Sequence, residues 1–507
     1  MLRIHPENPK LFEFRGKPLV LLTATEHYGA VMNRPFQFER YLADAADKGM
    51  TLTRLFMLFR ELQTPVNPYS TCKPESPDYV APFERTGPGR ALDEELKFDL
   101  DKPNPEFFDR LHRFVGLAGE YGIIVEVVLL SQTYAPNIWE LNPLNAKNNV
   151  NDVDEIEWPQ YLSTKNPKLF ARQAAHVRKI VTELNKYDNV LYEICNEPGG
   201  DVPGEGNPTT AEVNEWLTAL IQMVRETEAG LPNQHLIAGQ EAFSYEGGVQ
   251  GSDKSFREMA YDVVNVHALP NVQYGGRVYQ MGDFMSKQLV LRTMRDYGLA
   301  TYGERQPLNQ DEDNVASQYK DAEAWTIHRK RAWTVLLTGG HYDYIDFSII
   351  NYCETGTPES RAHVRRWFGH LSGFIHSFDL ARARPLTGVV LAQPPHTLEV
   401  AFGVEGEDVA VYLADERELR SARGLGEDSR QKAEGSGQKN DERWEGGVIE
   451  GEVVMALAEG VYRATVFDPQ TGQYSLWTEV RGEPAGTRLR LPKFWHDVVV
   501  RVRRVGV

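Results

Sequence analysis

The chain is poor in cysteine and lacks long apolar runs, and both absences narrow the class of protein. Its three cysteines, Cys72, Cys195 and Cys353, lie far apart among 507 residues. This spacing excludes a disulfide framework and a Cys-x-x-Cys zinc site. No run of about 18 apolar residues occurs, so no transmembrane helix is predicted. The opening MLRIHPENPK holds no apolar stretch. We therefore expect a cytoplasmic protein, although a secreted form without its leader would have the same sequence.

Positive charge is also scarce, since 55 Lys and Arg face 72 Asp and Glu for a net charge of −17. Nucleic acids and anionic membranes are bound through basic clusters that neutralise phosphates, so neither partner is expected. The GxSxG, HExxH and GxxxxGK[ST] motifs of other enzyme classes are absent. The histidines are scattered and form no metal-ligand pattern. We expect neither a metal nor another cofactor.

Apolar, β-branched runs recur along the first three quarters of the chain. They cover residues 18–25, 50–58, 122–130, 189–197, 235–241, 262–269, 298–304 and 341–349. Amphipathic segments lie between them at 34–49, 104–122, 166–189, 209–230 and 322–340, the third opening with an Asn cap and a Pro at 166–167. Continuous apolar runs are typical of strands covered on both faces. Eight such units predict the α/β class and a (β/α)8 TIM barrel. A doubly wound sheet is the rival, but no glycine-rich loop follows the first run.

The pattern changes near residue 381, where the segment ARARPL resembles a linker. Beyond it, apolar and polar residues alternate in short runs separated by turn residues, which predicts an antiparallel β-sandwich. We therefore expect a barrel domain over 1–380 and a sandwich domain over 386–507. A charged, Gly- and Ser-rich segment at 416–447 predicts a mobile loop inside the sandwich. Structural support of the barrel is the favoured role for this second domain, with glycan binding as the alternative.

Barrel enzymes carry their reactive groups at the carboxyl ends of strands. The fourth run, YEICNEP, ends in Asn196, Glu197 and Pro198. Proline ends the strand because it has no N–H for the ladder. Adjacent strand residues point in opposite directions, so Asn196 and Glu197 can serve different partners at one rim.

YEICNEP resembles the strand-four signature of the clan A retaining glycoside hydrolases, the cellulase-like superfamily that includes family 5. The resemblance implies that Glu197 is the general acid/base and that a second glutamate, ending strand seven, is the nucleophile. We assign that second role to Glu304, which ends the run GLATYGE. Its rivals are Glu241, which ends the fifth strand, and Asp346, within the eighth. Members of this superfamily commonly carry a C-terminal β-sandwich.

The same resemblance implies further substrate contacts. Arg54 matches the arginine that hydrogen-bonds the nucleophile, and Asn196 matches the asparagine that bonds the sugar 2-hydroxyl. His267 matches the histidine that ends strand six. The tyrosine expected two positions later is replaced by Leu269, so Tyr274 on the next loop is the candidate substitute.

Other strand ends supply candidate substrate-binding residues. His27 and Tyr28 end the first strand, Gln132 stands where the family often has a histidine, and Glu241 ends the fifth strand. Trp139 lies on a long loop, where an aromatic ring could stack on the apolar face of a sugar. Glu193, four residues before Glu197, could instead be an ion-pair partner inside the barrel.

Two carboxyl groups suit glycosidic bond cleavage, because one protonates the leaving oxygen while the other attacks or stabilises the anomeric carbon. A gap of roughly 5–5.5 Å favours retention and one of roughly 6.5–9.5 Å inversion. The prediction is a retaining glycosidase acting on β-linked oligo- or polysaccharides. The alternatives are a carbohydrate-binding barrel without turnover and a transglycosylase using the same pair. The sequence leaves open the sugar, the linkage, endo or exo action and the oligomeric state.

Overall fold

Eight parallel strands form the first part of the fold. The structure, a computed structural model, describes residues 1–25, 30–60, 78–267, 271–281, 289–313, 326–345, 361–417 and 446–506. The strands are β1 (Leu22–Thr25), β2 (Leu52–Phe56), β3 (Ile124–Ser131), β4 (Val190–Asn196), β5 (Leu236–Gly239), β6 (Val263–His267), β7 (Leu308–Asp313) and β8 (His341–Ile345). Their spatial order is β1-β8-β7-β6-β5-β4-β3-β2. The Thr51 N–H donates to the Leu22 carbonyl at 3.1 Å, which brings the two ends of the sheet together. The predicted (β/α)8 barrel is confirmed.

One helix follows each strand. The helices are α1 (Phe38–Asp47), α2 (Pro105–Glu120), α3 (Pro167–Leu184), α4 (Thr210–Glu228), α5 (Asp253–Arg257), α6 (Leu291–Thr301), α7 (Thr326–Leu337) and α8 (Arg366–Ile375). Asn104 caps α2 by accepting the Glu106 N–H at 3.1 Å. Asn166 is the N-cap residue of α3, as predicted, but its side chain makes no cap hydrogen bond. The Asp154 carboxylate accepts the first-turn N–H groups of α3 instead.

The strand predicted over 298–304 is wrong. Residues 298–301 form the end of α6, and Glu304 lies in the short connection to β7. The buried Lys10 ammonium bonds the carbonyls of Thr301 and Gln306, on either side of Glu304. The Lys10 carbonyl lies 3.0 Å from Nε2 of His341, the first residue of β8. Glu304 therefore lies at the amino-terminal end of the barrel, whereas Glu197 follows the carboxyl end of β4.

A small antiparallel sheet covers the amino-terminal end of the barrel. It consists of three strands, Arg3–Ile4, Phe12–Phe14 and Lys17–Leu19. Its buried Phe12 packs in an apolar cluster with Leu52, Ile124 and Leu191, which lie at or near the starts of barrel strands. Burial at this end leaves the opposite end, where β4 and β6 finish, as the face that carries the loops.

A hairpin and several shorter strands and turns extend the loops between strands and helices. The hairpin pairs Phe83–Arg90 with Leu96–Pro103 in the long segment between β2 and α2. The remaining short elements are strands at Gly199–Gly200, Phe243–Ser244, Gln250–Gly251, Asn271–Tyr274 and Arg277–Gln280, a single helical turn at Pro136–Trp139, a 3-10 turn at Trp158–Tyr161 and a π-helical turn at Arg361–Arg365. Among the described helices, none is long and apolar enough to cross a membrane.

Antiparallel strands make up the C-terminal part. They are β9 (Arg384–Leu386), β10 (Val390–Ala392), β11 (Thr397–Val404), β12 (Asp408–Asp415), β13 (Glu452–Met455), β14 (Gly460–Asp468), β15 (Gln473–Tyr474), β16 (Thr478–Gly482), β17 (Thr487–Arg490) and β18 (Asp497–Arg504). A seven-stranded sheet faces a three-stranded sheet of β10, β13 and β17 across a shared apolar core. Of the predicted mobile loop, residues 418–445 lie outside the described residues.

The other face of the seven-stranded sheet packs on the barrel. Every residue of α7 is buried. The Trp333 ring stacks on Tyr412 of β12 at 5.3 Å between centroids. The Arg329 guanidinium pairs with the Asp497 carboxylate, with 2.9 Å from Nε to Oδ2. The helix is thus enclosed between the barrel strands and the sandwich.

Candidate active site

Two glutamates and a histidine meet at the carboxyl end of the barrel. His267 is the last residue of β6, and its Nδ1 lies 3.0 Å from Oε1 of Glu197. The same Nδ1 lies 3.3 Å from Oε2 of Glu312, which belongs to β7. Nδ1 and one carboxylate oxygen of each glutamate all lie within 4.8 Å of one another. The two carboxyl groups are therefore close enough to act on one glycosidic bond from both sides.

Both glutamates have left-handed backbones. The φ angle is 44° at Glu197 and 55° at Glu312. This region is disfavoured for residues with a Cβ and recurs at functional sites, where surrounding contacts hold it. At Glu312 one such contact is visible, because its N–H donates to Oδ1 of the neighbouring Asp311 at 3.0 Å.

Arg54, on β2, is fully buried between these groups. Its Nε bonds Oε2 of Glu193 at 2.8 Å, its Nη2 bonds Oδ1 of Asn196 at 2.9 Å, and its Nη1 bonds Oε1 of Glu312. Burial alone would lower the pKa of Arg54, but the surrounding carboxylates of Asp311, Glu193 and Glu312 hold it well above its ordinary value. The guanidinium is a fixed cation that favours an ionised Glu312.

His267 is also held in its charged form. Burial alone would lower the pKa of its imidazole, but the carboxylates of Glu312 and Glu197 raise it well above its usual value. Nδ1 thus lies between the two carboxylates, at 3.0 Å from Glu197 and 3.3 Å from Glu312.

Asn196, the last residue of β4, links this cluster to the loop after β3. Its Nδ2 donates to the Tyr134 hydroxyl at 2.6 Å, while its Oδ1 accepts from Arg54. Tyr134 also has a left-handed backbone, with φ of 53°, and its ring lies edge-on to Phe59 at 6.0 Å. The amide is therefore fixed beside the acid/base candidate Glu197.

Glu304 is not brought to this cluster. Its Oε1 accepts from the Tyr274 hydroxyl at 2.6 Å and from Arg257 Nη2 at 2.8 Å. Burial opposes ionisation of Glu304, but these two donors more than offset it and lower its pKa. The expected contact between Tyr274 and Glu304 is present, yet it ties α6 to the segments around Asn271–Tyr274 and not to the rim.

Three other candidates have structural partners. Gln132 is buried, and its Oε1 accepts the Thr133 N–H at 3.0 Å. The Glu241 carboxylate accepts the Ser255 N–H at 2.8 Å, at the start of α5. Trp139 is buried and donates from Nε1 to the Ile156 carbonyl at 3.1 Å. Within the described part of the chain, none of these three side chains forms a hydrogen bond with Glu197 or Glu312. His27, Tyr28 and Asp346 lie outside the described residues.

Glu312 and Asp311 are the site residues that sequence reasoning missed. They lie in the segment LNQDED, whose six residues form β7 and are all buried. Three adjacent acidic residues after a Pro, in the interval between two helical segments, were the available signal. The polar sequence did not satisfy the apolar-run criterion for a strand.

Comparison with known proteins identifies the family. Residues 15–334, more than half of the chain, match the family described as cellulase (glycosyl hydrolase family 5). The chain belongs to glycosyl hydrolase family 5. The matched range contains Arg54, Asn196, Glu197, His267 and Glu312. The expected superfamily, a family of glycosidases, is thereby confirmed.

Individual relatives are more distant. An endoglucanase from Clostridium saccharobutylicum is 32% identical over 92 residues, which is 18% of this chain and 18% of the endoglucanase. A glycoside hydrolase family 5 structure from Bacteroides vulgatus ATCC 8482 superposes with a TM-score of 0.61 at 13% identity, covering 100% of this chain and 94% of that one. A putative glycoside hydrolase from the same organism gives 0.57 at 13% identity, covering 100% and 82%. At these identities the two structures show a common fold.

Proposed function

We propose that this family 5 protein is a retaining glycosidase in which Glu197 is the general acid/base and Glu312 the nucleophile. The observation that carries the proposal is the juxtaposition of the two carboxylates, with one oxygen from each within 4.8 Å of the other and both near His267 Nδ1. This spacing agrees with the roughly 5–5.5 Å typical of retaining enzymes. The inverting arrangement has its carboxyl groups farther apart, at roughly 6.5–9.5 Å.

In the first step, an oxygen of the Glu312 carboxylate attacks the anomeric carbon. The bond from that carbon to the leaving oxygen breaks, its electron pair stays on the oxygen, and the Glu197 proton transfers to it. The products are a glycosyl ester of Glu312, a free alcohol and an ionised Glu197. The oxocarbenium-like transition state is stabilised by the negative charge of the attacking carboxylate.

In the second step, a water molecule takes the place of the leaving alcohol. Glu197 accepts a proton from this water while its oxygen attacks the anomeric carbon. The ester bond to Glu312 breaks, and the original ionisation of both glutamates is restored. Two inversions give net retention.

Arg54 and Asn196 serve this chemistry by contact. The Arg54 cation keeps Glu312 ionised and aimed, because its Nη1 bonds a carboxylate oxygen of Glu312. The Asn196 side chain, held by Arg54 and Tyr134, lies one residue from Glu197 and is the candidate partner for the sugar 2-hydroxyl. Such a bond strengthens in the transition state.

A β-linked oligo- or polysaccharide is the proposed substrate class. The match to an endoglucanase makes β-glucosides the first compounds to test. The pair of carboxyl groups argues against a binding protein without turnover, since binding alone needs neither an acid nor a nucleophile.

The test combines activity with covalent trapping. Aryl β-glycosides of glucose, mannose, xylose, galactose and arabinose are screened with wild type and with Glu197→Gln. An activated 2-deoxy-2-fluoro glycoside of the preferred sugar should then form a stable adduct, which peptide mass spectrometry locates. We expect the label on Glu312. An adduct on Glu304, or retained configuration without any adduct, would refute the nucleophile assignment.

A further inference from the structure

The Asp311 carboxylate contacts several groups of the candidate active site. This residue of β7 is fully buried. Its Oδ1 accepts the Glu312 N–H at 3.0 Å, and its Oδ2 accepts from Asn265 Nδ2 at 3.2 Å. Oδ2 also lies 3.1 Å from Nε of Arg54. One carboxylate thus contacts the backbone of Glu312 and the cation that bonds the Glu312 side chain.

His267 provides a second, independent observation. Its side chain is 2% exposed, and among the described residues Nε2 has no hydrogen-bond partner. Oδ2 of Asp311 lies 3.8 Å from this nitrogen, on the side of the ring opposite the two glutamates. An imidazolium with a buried, unpaired N–H is costly unless a negative charge lies nearby. Asp311 supplies that charge.

We propose that Asp311 is the positioning residue of the site, fixing the Glu312 backbone through one oxygen and holding Arg54 and the His267 imidazolium through the other. This inference rests on the proposed function, because it assigns the support of the Glu197–Glu312 pair. Asp311 itself does not touch the substrate. It acts through the three groups that aim the two glutamates.

Charged groups surround Asp311 on neighbouring strands. They are Arg54 on β2, Glu126 on β3, Glu193 on β4, His267 on β6, Glu312 on β7 and Asp343 on β8. Burial raises the pKa of Asp311 to about 7, although Arg54 opposes the rise. Burial, together with the Asp311 carboxylate, likewise raises the pKa of Glu193 to about 7, although Arg54 and His267 oppose the rise. Asp311 is therefore ionised and able to hold its partners above about 7, and it loses that ability as the pH falls below this value.

Glu126 offers a matched control. It lies in the same buried cluster and bonds the same Asn265 amide at 2.8 Å. Burial and the nearby carboxylates of Asp311 and Glu193 raise its pKa well above the usual range. Glu126→Gln keeps the size of this side chain and an oxygen that accepts from Asn265, so it changes a neighbouring carboxyl of the same cluster.

The first experiment measures covalent trapping by the activated 2-deoxy-2-fluoro glycoside. Asp311→Asn keeps the shape and removes the charge, so we expect the trapping rate to fall about 100-fold, the scale of a misplaced reacting group. The reagent's binding constant should be unchanged. Glu126→Gln should trap at the wild-type rate. For wild type the trapping rate should fall on acidification below about pH 7, and Asp311→Asn should lose this limb.

The second experiment observes His267 directly in the full-length wild-type protein. Histidine-selective ¹⁵N labelling, with His267→Gln to assign the signal, should show both ring nitrogens protonated at about pH 7.5, above the reference pKa of about 6.5. In Asp311→Asn the pKa of His267 should fall. A purely structural role for Asp311 would alter stability without moving this signal.

Two results would overturn the inference: wild-type trapping by Asp311→Asn, or a neutral His267 in the wild-type protein at that pH. The second needs no variant, so poor folding of Asp311→Asn does not protect the inference. A failure of the proposed function is distinguishable, because the wild type itself would then form no adduct, and both proposals would fall together.

Discussion

Strands β4 and β7 each place a glutamate at the rim with a left-handed backbone, but their sequences differ sharply. β4 is VLYEICN, a mostly apolar run, whereas β7 is LNQDED, with Leu308 as its single apolar residue. All residues of both strands are buried. On β4 the side chains of Tyr192 and Ile194 enter the main apolar cluster. On β7 the side chains meet polar partners instead.

The polar partners of β7 come from distant parts of the chain. Asn309 and Asp311 face the barrel interior, where they contact Glu126 and Arg54. Asp313 is bonded by Arg331 Nη1 at 2.6 Å, and His328 Nδ1 lies 3.2 Å from its other oxygen. A strand can therefore be buried without being apolar, provided that its polar side chains have hydrogen-bond or charge partners. A short stretch of sequence shows only one member of each such pair.

The largest effect should come from removing the β7 glutamate. Glu312→Gly is expected to lower kcat by about 10⁴-fold or more, the scale for loss of a covalent nucleophile, and azide should restore turnover with the inverted glycosyl azide as product. The measurement is the hydrolysis rate of an aryl glycoside with product analysis.

Glu304→Gln is the control for this comparison. It keeps a hydrogen-bond acceptor for Tyr274 and Arg257 far from the rim, so its kcat should equal that of wild type. Loss of activity in Glu304→Gln with full activity in Glu312→Gly would instead identify Glu304 as the nucleophile, as the sequence predicted.

Removing the β4 glutamate should have a smaller effect that depends on the leaving group. Glu197→Gln is expected to lower kcat/KM about 10²–10⁴-fold for a poor leaving group such as an alkyl alcohol. For dinitrophenol, which needs no proton, kcat/KM should stay close to wild type. Equal losses for both leaving groups would show that Glu197 is not the acid.

The outward-facing partners of the two strands can be compared by stability. Asp313→Ala removes the carboxylate that pairs with the buried Arg331 cation and should lower the free energy of unfolding by about 3–5 kcal/mol. Ile194→Val on β4 removes one methylene and should cost about 0.5–1.5 kcal/mol. Denaturant titration checks both values, and equal losses would mean that the ion pair of β7 adds nothing beyond packing.

The last expected effect is a change in the pH dependence of stability. The pKa values of Asp311 and Glu193 are raised by burial to about 7 in the folded protein, above the roughly 4 of unfolded carboxyls. The folded state therefore binds more protons than the unfolded state in this window. Their contribution to the free energy of unfolding is complete below about pH 4 and is lost as the pH rises through about 7. Asp311→Asn should make this decline shallower, measured as the difference between the two stability curves. An identical slope in wild type and variant would contradict the raised pKa.

Much of the fold was predictable, because seven of the barrel strands overlap apolar runs. These strands are apolar because both of their faces are buried. The residues that meet at the rim from those strands, Arg54, Asn196, Glu197 and His267, were among the predicted candidates. Glu304 was chosen because GLATYGE is apolar and ends in Glu. Its Leu, Ala and Tyr serve equally well on the buried side of a helix, and length alone did not separate the two states.

What could not be predicted depends on partners that are distant in sequence. The polar residues of β7 are buried because Arg54, some 250 residues earlier, supplies their charge. Gln132, Glu241 and Trp139 were correctly placed near strand ends or on loops, but their side chains turn to nearby backbone groups. Nothing in one sequence distinguishes a side chain that bonds nearby backbone groups from one that contacts the substrate.

The enclosure of α7 has a consequence for the molecule as a whole. Since Trp333 stacks on Tyr412 and Arg329 pairs with Asp497, the barrel cannot be cut from its C-terminal partner without exposing both an indole and a stranded guanidinium. We expect a chain ending near residue 380 to aggregate, and the intact protein to give one calorimetric peak. In this enzyme the C-terminal part completes the packing around a barrel helix and is not an exchangeable module.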